Sequence, residues 1–330
     1  MTDNRRIVLA SRPAAWPEAA NFRLETVPVP DPAEGQVLVR NRWLSLDPYM
    51  RGRMSDAKSY AKPVELGEVM VGGTAGEVVA SKHPRFATGD AVVGALGWQE
   101  FALSDGVGLQ KVDARSVPLP AYLGPAGMPG VTAWVGLNDI CAPKAGETVV
   151  VTAASGAVGS VVGQLAKRRG ARAVGIAGGA AKCRYVVEEL GFDACIDYKA
   201  GSLRADLKAA TPQGIDCVFE NVGGEIFDTL LGRMNAFGRI ALCGLISQYN
   251  AAPAPLLNIG SVLINRLRLQ GFIVSDDMGR WPPALAELVP LVASGALKYR
   301  ETVADGLAAA PEAFIGMLRG ENFGKQLVRL

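Results

Sequence analysis

The spacing Ala154-x-Gly156-x-x-Gly159 carries the clearest chemistry in this sequence. A glycine at 156 lets backbone approach a pyrophosphate, and a glycine at 159 lets a helix pack close to the preceding strand. The first glycine of the usual dinucleotide fingerprint is here alanine. Two glycines in this spacing also occur in ordinary turns of α/β proteins, so the context has to decide. Before them stands Glu147-Thr-Val-Val-Val-Thr152, a β-branched run suited to a buried parallel strand. After them, Val158, Val161, Val162, Leu165 and Ala166 follow the spacing of one helix face. Lys167, Arg168 and Arg169 suit the negative end of that helix, and Gly170 its C-terminal stop. Strand, glycine turn and helix in this order put free N–H groups and positive potential where phosphates bind.

A second site of chemistry lies one strand further on. An NAD-binding fold places Asp or Glu about 20 residues past the fingerprint, on the ribose hydroxyls. The second strand here ends in Ile176-Ala177-Gly178-Gly179, with Lys182 and Arg184 following. A carboxylate would repel a 2′-phosphate, whereas a lysine attracts one. The expected cofactor is therefore NADPH/NADP+.

Other chemistry is scarce. The one histidine, His83, sits in the turn-like run Ser81-Lys-His-Pro84 and reads as an exposed loop residue. The cysteines, Cys141, Cys183, Cys195, Cys217 and Cys243, are scattered, odd in number and never in C-x-x-C spacing. They read as buried, reduced thiols of a cytoplasmic protein. No set of ligands for a metal is legible.

The elements that position these residues divide the chain. Residues 1–120 are β-rich, with proline breaks at Pro28, Pro30 and Pro32 and short strands between glycines, as in a small barrel or sandwich. A glycine- and proline-rich crossing at 122–130 leads into a helix over 131–140. From Glu147 onwards strands at 147–152, 172–177, 194–197, 217–221, 238–244 and 267–274 alternate with helices, including 182–190 and 224–234. That alternation makes an α/β, doubly wound parallel sheet. A helix over 281–294 follows, and the last thirty residues hold two short strands and a helix over 308–319 that return to the first domain. At 330 residues and a net charge of +2, the chain has room for two cores and no strong pull towards nucleic acid or anionic membrane. No apolar run reaches the roughly 20 residues that cross a bilayer, and the N-terminus lacks the apolar stretch of a signal peptide.

Six ordered motifs span the chain. They are Leu46-Asp-Pro-Tyr-Met-Arg51, Gly127-Met-Pro-Gly-Val-Thr-Ala133, Ala153-Ala-Ser-Gly-Ala-Val-Gly-Ser160, Phe219-Glu-Asn-Val-Gly-Gly-Glu225, Cys243-Gly-Leu-Ile-Ser-Gln-Tyr-Asn250 and Gly320-Glu-Asn-Phe-Gly-Lys325. Together they resemble the zinc-free branch of the medium-chain dehydrogenase/reductase superfamily that holds prostaglandin reductases (leukotriene B4 12-hydroxydehydrogenases), alkenal reductases and curcumin reductases. The absence of any cysteine before Cys141 agrees with that branch, because zinc-dependent members carry theirs in that region. Gly178-Gly179 departs from it, since close relatives often show Gly-Ser there.

The resemblance implies a GroES-like β-barrel domain over 1–125, a Rossmann domain over 126–295 and a return to the first domain over 296–330. It implies NADPH-dependent reduction of the C=C bond of α,β-unsaturated ketones or aldehydes by a homodimer. Zinc-free quinone reduction and non-catalytic NADPH binding by a redox sensor stand as alternatives. By the same resemblance, Gly156, Ala157, Val158 and Gly159 wrap the pyrophosphate. Lys182 and Tyr198 hold the 2′-phosphate, and Asn221 meets the nicotinamide half. Cys243, Gly244, Leu245, Ile246, Ser247 and Tyr249 line the cofactor. Phe272, Ile273, Val274 and Asn322 fix the nicotinamide amide, and Tyr49 and Met128 line the substrate pocket. Tyr249 is the implied catalytic residue, acting through the ribose 2′-hydroxyl on the enolate oxygen.

Overall fold

The computed structural model describes residues 3–330. Seven strands come first: β1 (Asp3–Leu9), β2 (Phe22–Pro28), β3 (Val37–Ser45), β4 (Thr74–Ser81), β5 (Ala91–Gly94), β6 (Phe101–Ser104) and β7 (Gln110–Lys111), with the short helix α1 (Tyr49–Arg53) after β3. Helix α2 (Met128–Val135) opens an alternating stretch of β8 (Thr148–Thr152), α3 (Gly159–Arg168), β9 (Arg172–Ala177), α4 (Ala180–Glu188), β10 (Ala194–Asp197), α5 (Leu203–Ala210), β11 (Ile215–Glu220), α6 (Gly224–Leu231), β12 (Met234–Leu242), α7 (Gly260–Ile264), β13 (Arg268–Gly271) and α8 (Trp281–Ala293). The chain closes with β14 (Glu301–Asp305), α9 (Ala310–Leu318) and β15 (Lys325–Arg329). It divides into two compact units, Met1–Leu123 with Glu301–Leu330, and Gly124–Arg300.

In the first unit a mixed sheet runs β14-β15-β3-β4-β5-β7, with β6 also on β3, beside the β1-β2 ribbon. Alternation in β3 buries Val37 and Val39 against Val78 of β4, Val92 of β5 and Phe86. The return strand is locked in by Lys325, whose buried ammonium donates to Leu46 O at 2.6 Å, Asp47 Oδ1 at 3.0 Å and Gln326 O at 3.1 Å. Ser45 donates to the other oxygen of Asp47. A buried ammonium with three acceptors, one of them charged, satisfies the pairing that burial demands.

The second unit is a six-stranded parallel sheet in the order β10-β9-β8-β11-β12-β13. Counted within the sheet that is 3-2-1-4-5-6, with the order reversing between β8 and β11. All five residues of β8 are buried, as a strand covered on both faces requires. Val161, Val162, Leu165 and Ala166 of α3 are buried with it.

Three local expectations give way. The helix over 131–140 is instead α2 followed by a π-helical turn, Gly136–Cys141. There the backbone comes so near Phe219 and Phe272 that a β-carbon on Gly136 would stand 2.5 and 2.7 Å from their rings. The strand over 267–274 stops at Gly271, which leaves Phe272–Val274 in a loop. The helix over 224–234 ends at Leu231, because Met234 already pairs with Ile215 in the sheet.

Candidate active site

All six parallel strands end at one edge, and the residues singled out in the second unit follow those ends. The fingerprint follows β8, Gly178-Gly179 follows β9 and Tyr198 follows β10. Asn221 follows β11, the segment Cys243 to Tyr249 follows β12, and Phe272–Val274 follows β13. Ligands bind at that edge of an open α/β sheet, at the point where strand order reverses.

At the fingerprint the left-handed residue is Ala153, at φ +50°, one place before the replaced glycine. Its carbonyl accepts from Gly156 N–H at 2.9 Å, which closes the turn. A β-carbon on Gly159 would stand 2.4 Å from that same carbonyl oxygen, so only glycine fits there. The N–H groups of Ala157 and Val158, ahead of α3, make no hydrogen bond among the described residues. Unsatisfied donors at a helix N-terminus suit a pyrophosphate.

At the end of β9, a β-carbon on Gly178 would stand 3.0 Å from Tyr198 Oη and 3.0 Å from Lys199 Cε, so both side chains lie over this glycine. Lys182, on the first turn of α4, is half-buried, and its ammonium pKa is held below the usual value by burial and by the charge of Lys199. Two cations that repel one another beside an exposed tyrosine suit a doubly charged phosphate. Lys199 was not legible as a site residue in the sequence. Nor was Asp197, whose Oδ1 accepts from Gly179 N–H at 2.8 Å and Lys199 N–H at 3.0 Å. The acid missing from the end of β9 is thus present one strand over, tied to two backbone donors.

Across the switch point, Asn221 Nδ2 donates to Thr152 O at 2.8 Å and Asn221 N–H donates to Thr152 Oγ1 at 2.7 Å, joining the ends of β11 and β8. The carbonyls of Asn221 and Val222 accept from Ile246 N–H at 3.2 Å and Ser247 N–H at 3.0 Å. Those bonds seat the tight turn Ile246–Gln248 that leads to Tyr249. Tyr249 is half-buried, and its hydroxyl folds back over Gly244 to accept from Leu245 N–H at 3.5 Å. Cys243 lies partly covered at the end of β12, its thiol pushed up to about 12 by burial and by nearby Glu220. Phe272 packs edge-on against Phe219 at 6.2 Å, while Val274 O accepts from Trp281 Nε1 at 3.1 Å.

The remaining residues belong to other elements. Met128 begins α2, where its carbonyl accepts from Thr132 Oγ1 at 2.8 Å. In the first unit, Tyr49 begins α1, and its phenol pKa is raised by burial and by the charge of Asp47. Asn322 Nδ2 donates to Gly324 O at 2.7 Å within its own loop.

Two expectations about reactive side chains need correction. Only Cys141 and Cys217 are buried; Cys183, Cys195 and Cys243 are half-buried. All five are free thiols; Cys217 Sγ donates to Cys141 O at 3.4 Å, and the Cys183 and Cys195 thiols hydrogen-bond to one another. His83 is half-buried rather than exposed, with Nδ1 accepting from Arg85 N–H at 3.0 Å and the ring set against Phe86. Among the described residues no three His, Cys, Asp or Glu side chains gather to hold a metal ion.

Residues 5–112 match the family described as the N-terminal domain of oxidoreductase, and residues 157–290 match the zinc-binding dehydrogenase family. The NADPH-dependent curcumin reductase of Escherichia coli (strain K12) is 50% identical over 334 residues, which span 99% of this chain and 97% of that protein. The chain belongs to the zinc-free medium-chain dehydrogenases/reductases. Prostaglandin reductase 1 of Rattus norvegicus, from the same branch of this family, is 45% identical over 95% of each chain. CurA from Vibrio vulnificus, a structure solved in complex with NADPH, superposes with a TM-score of 0.94 at 50% identity, covering 98% of each chain. The sheet edge has features that suit such a cofactor: the N–H groups of Ala157 and Val158 have no partner among the described residues, and Lys182 lies near the charge of Lys199.

Proposed function

We propose that this chain uses NADPH to reduce the C=C bond conjugated to a ketone or aldehyde carbonyl. The observation that carries the reading is the sheet edge itself. It has Lys182 near the charge of Lys199, with Lys199 and Tyr198 over Gly178 at the end of β9, amides after β8 with no partner among the described residues, and a tyrosine seated by the β11 loop after β12. Bound there, NADPH supplies a hydride to the substrate β-carbon, and negative charge develops on the carbonyl oxygen. The chain must hold the cofactor, exclude water and support a hydrogen-bond donor at that oxygen. Ala157 and Val158 N–H groups take the pyrophosphate, and Lys182, Lys199 and Tyr198 take the 2′-phosphate. Tyr249 supports the donor. The roles of Asn322, Tyr49 and Met128 rest on the resemblance alone.

No helix among the described residues is long and apolar enough to cross a membrane. We place the protein in the cytoplasm as a homodimer. What supports the dimer is the exposed edge strand β13, where Leu269 is 39% exposed, and the apolar side chains beside it on α7, Leu263 at 82% and Ile264 at 69%. An open edge with apolar neighbours invites pairing with another copy.

The test is NADPH consumption across enones, enals, quinones and saturated ketones, with products identified by mass. Saturated carbonyl products from enones and enals are expected. Turnover of quinones alone would replace the reading with quinone reduction, and tight NADPH binding without turnover would make the protein a sensor.

A further inference from the structure

Glu220 ends β11 at the point where strand order reverses, and it is fully buried. Its Oε1 accepts three hydrogen bonds, from Val222 N–H at 2.6 Å, Gly223 N–H at 2.7 Å and Thr152 Oγ1 at 3.1 Å. Its Oε2 has no hydrogen-bond partner among the described residues. An apolar side chain would avoid the burial of this carboxyl, so the group has to supply something in return. What it supplies is an acceptor for two backbone donors that have no other among the described residues. Val222 and Gly223 lie just ahead of α6, and Gly223 at φ +79° is turned so that its N–H points back at the carboxylate. A helix N-terminus there also favours negative charge.

The loop held in this way does further work. The Asn221 carbonyl accepts from Ile246 N–H, and the Val222 carbonyl accepts from both the N–H and the hydroxyl of Ser247, at 3.0 and 2.6 Å. Glu220's own carbonyl accepts from Cys243 N–H at 2.9 Å and Gly244 N–H at 3.1 Å. Glu220 therefore holds the Cys243 end through its own carbonyl, and the Ile246–Ser247 stretch through the loop that its carboxylate clamps. The titratable group facing it from the end of β12 is Cys243, and β8 faces it with the Thr152 hydroxyl.

We propose that Glu220 is a positioning residue for hydride transfer, acting through the backbone of Val222 and Gly223 on the segment that carries Tyr249. The inference rests on the reductase reading. It is tested with Glu220→Gln, which keeps a neutral acceptor, and Glu220→Leu, which removes it. Amide hydrogen exchange of Val222, Gly223 and Ser247 is measured without cofactor, kcat with a good enone, and NADPH affinity by titration. The expected order is wild type, then Gln, then Leu, both in amide protection and in kcat. The Leu variant should exchange at least tenfold faster and turn over at least tenfold slower, with the NADPH Kd within about threefold of wild type. Should Leu not fold, Gln alone must show severalfold faster exchange and severalfold lower kcat. Unchanged protection at Val222 and Gly223, or a kcat loss that only tracks the folded fraction, would overturn the proposal. If the wild type turns over no enone, the reductase reading fails by itself, and the exchange data still judge the clamp.

Discussion

Ala154, in the turn after β8, and Gly175, within the neighbouring β9, face one another, and a β-carbon added at Gly175 would stand 2.8 Å from that of Ala154. The alanine that replaces the first fingerprint glycine is thus matched by a glycine on β9. Gly175→Ala should destabilise the protein by about 1–3 kcal/mol, as overpacking does. Ala154→Gly alone should cost about 1 kcal/mol through lost burial and added chain entropy. The double variant should recover roughly 1 kcal/mol of the summed losses in urea unfolding. Recovery stays partial because Val186 Cγ1, at 2.9 Å from the same added carbon, remains. Strict additivity would mean the two positions do not share space.

The neighbouring lysines Lys182 and Lys199 make cofactor choice separable from cofactor binding. Lys182→Ala should weaken NADPH binding by about 1.5–3 kcal/mol, the loss of one charge-assisted contact, and leave NADH nearly unchanged. Lys199→Ala should cause a smaller, severalfold loss with the same selectivity, since that side chain is exposed. Affinity for NADPH should also fall more steeply with salt than affinity for NADH. Equal losses for both cofactors in titrations of Lys182→Ala would remove it from the 2′-phosphate.

The buried carboxyl of Glu220 should leave a signature in stability against pH. Burial pushes it up from 4.5 to about 7, against the opposing pull of the N–H groups of Gly223 and Val222. A carboxyl whose pKa is raised by folding stabilises the fold while protonated. Its contribution is therefore fully present below about pH 4.5 and lost as pH rises through about 7. The span is roughly 3 kcal/mol. Protonation on Oε2 keeps Oε1 as an acceptor but replaces its charge-assisted bonds with weaker neutral ones. Measured without cofactor, the stability difference between wild type and Glu220→Gln should change by about that span across the window. A pH-independent difference would show that the group keeps its ordinary pKa.

How much of this could be read from the chain depended on the range of the pattern. The fingerprint turn, Lys182 and the strand–helix alternation are written within a few residues of one another, so local spacing sufficed. Tyr198 and the segment ending at Tyr249 came from motif resemblance. Lys199, Asp197, Thr152 and Glu220 were out of reach because their roles depend on which strands become neighbours. Asp197 meets Gly179 only because β10 lies beside β9, and Glu220 meets Thr152 only because β11 lies beside β8. The cysteine contacts were hidden for the same reason. Ala153 could not be singled out, since nothing in the composition of the turn says which alanine takes the positive φ.

Tyr249 is the residue on which the proposed chemistry depends. It follows the turn at the end of β12, at the sheet edge, and Ser247 and Ile246 seat it against the β11 loop. Its oxygen accepts from Leu245 N–H at 3.5 Å, a long bond that holds the ring's direction weakly. If that hydroxyl supports the donor at the enolate oxygen, Tyr249→Phe removes the support without changing shape. A loss confined to the transition state lowers kcat and kcat/KM together. One direct oxyanion donor is worth roughly 10²–10³ in rate. Acting one step removed, through the ribose hydroxyl, Tyr249 should be worth about tenfold or somewhat more, while NADPH affinity changes by less than about tenfold. Steady-state kinetics on a good enone, paired with a cofactor titration, separates these quantities. An unchanged kcat would make Tyr249 a scaffold for the loop and leave the donor to the ribose or to water.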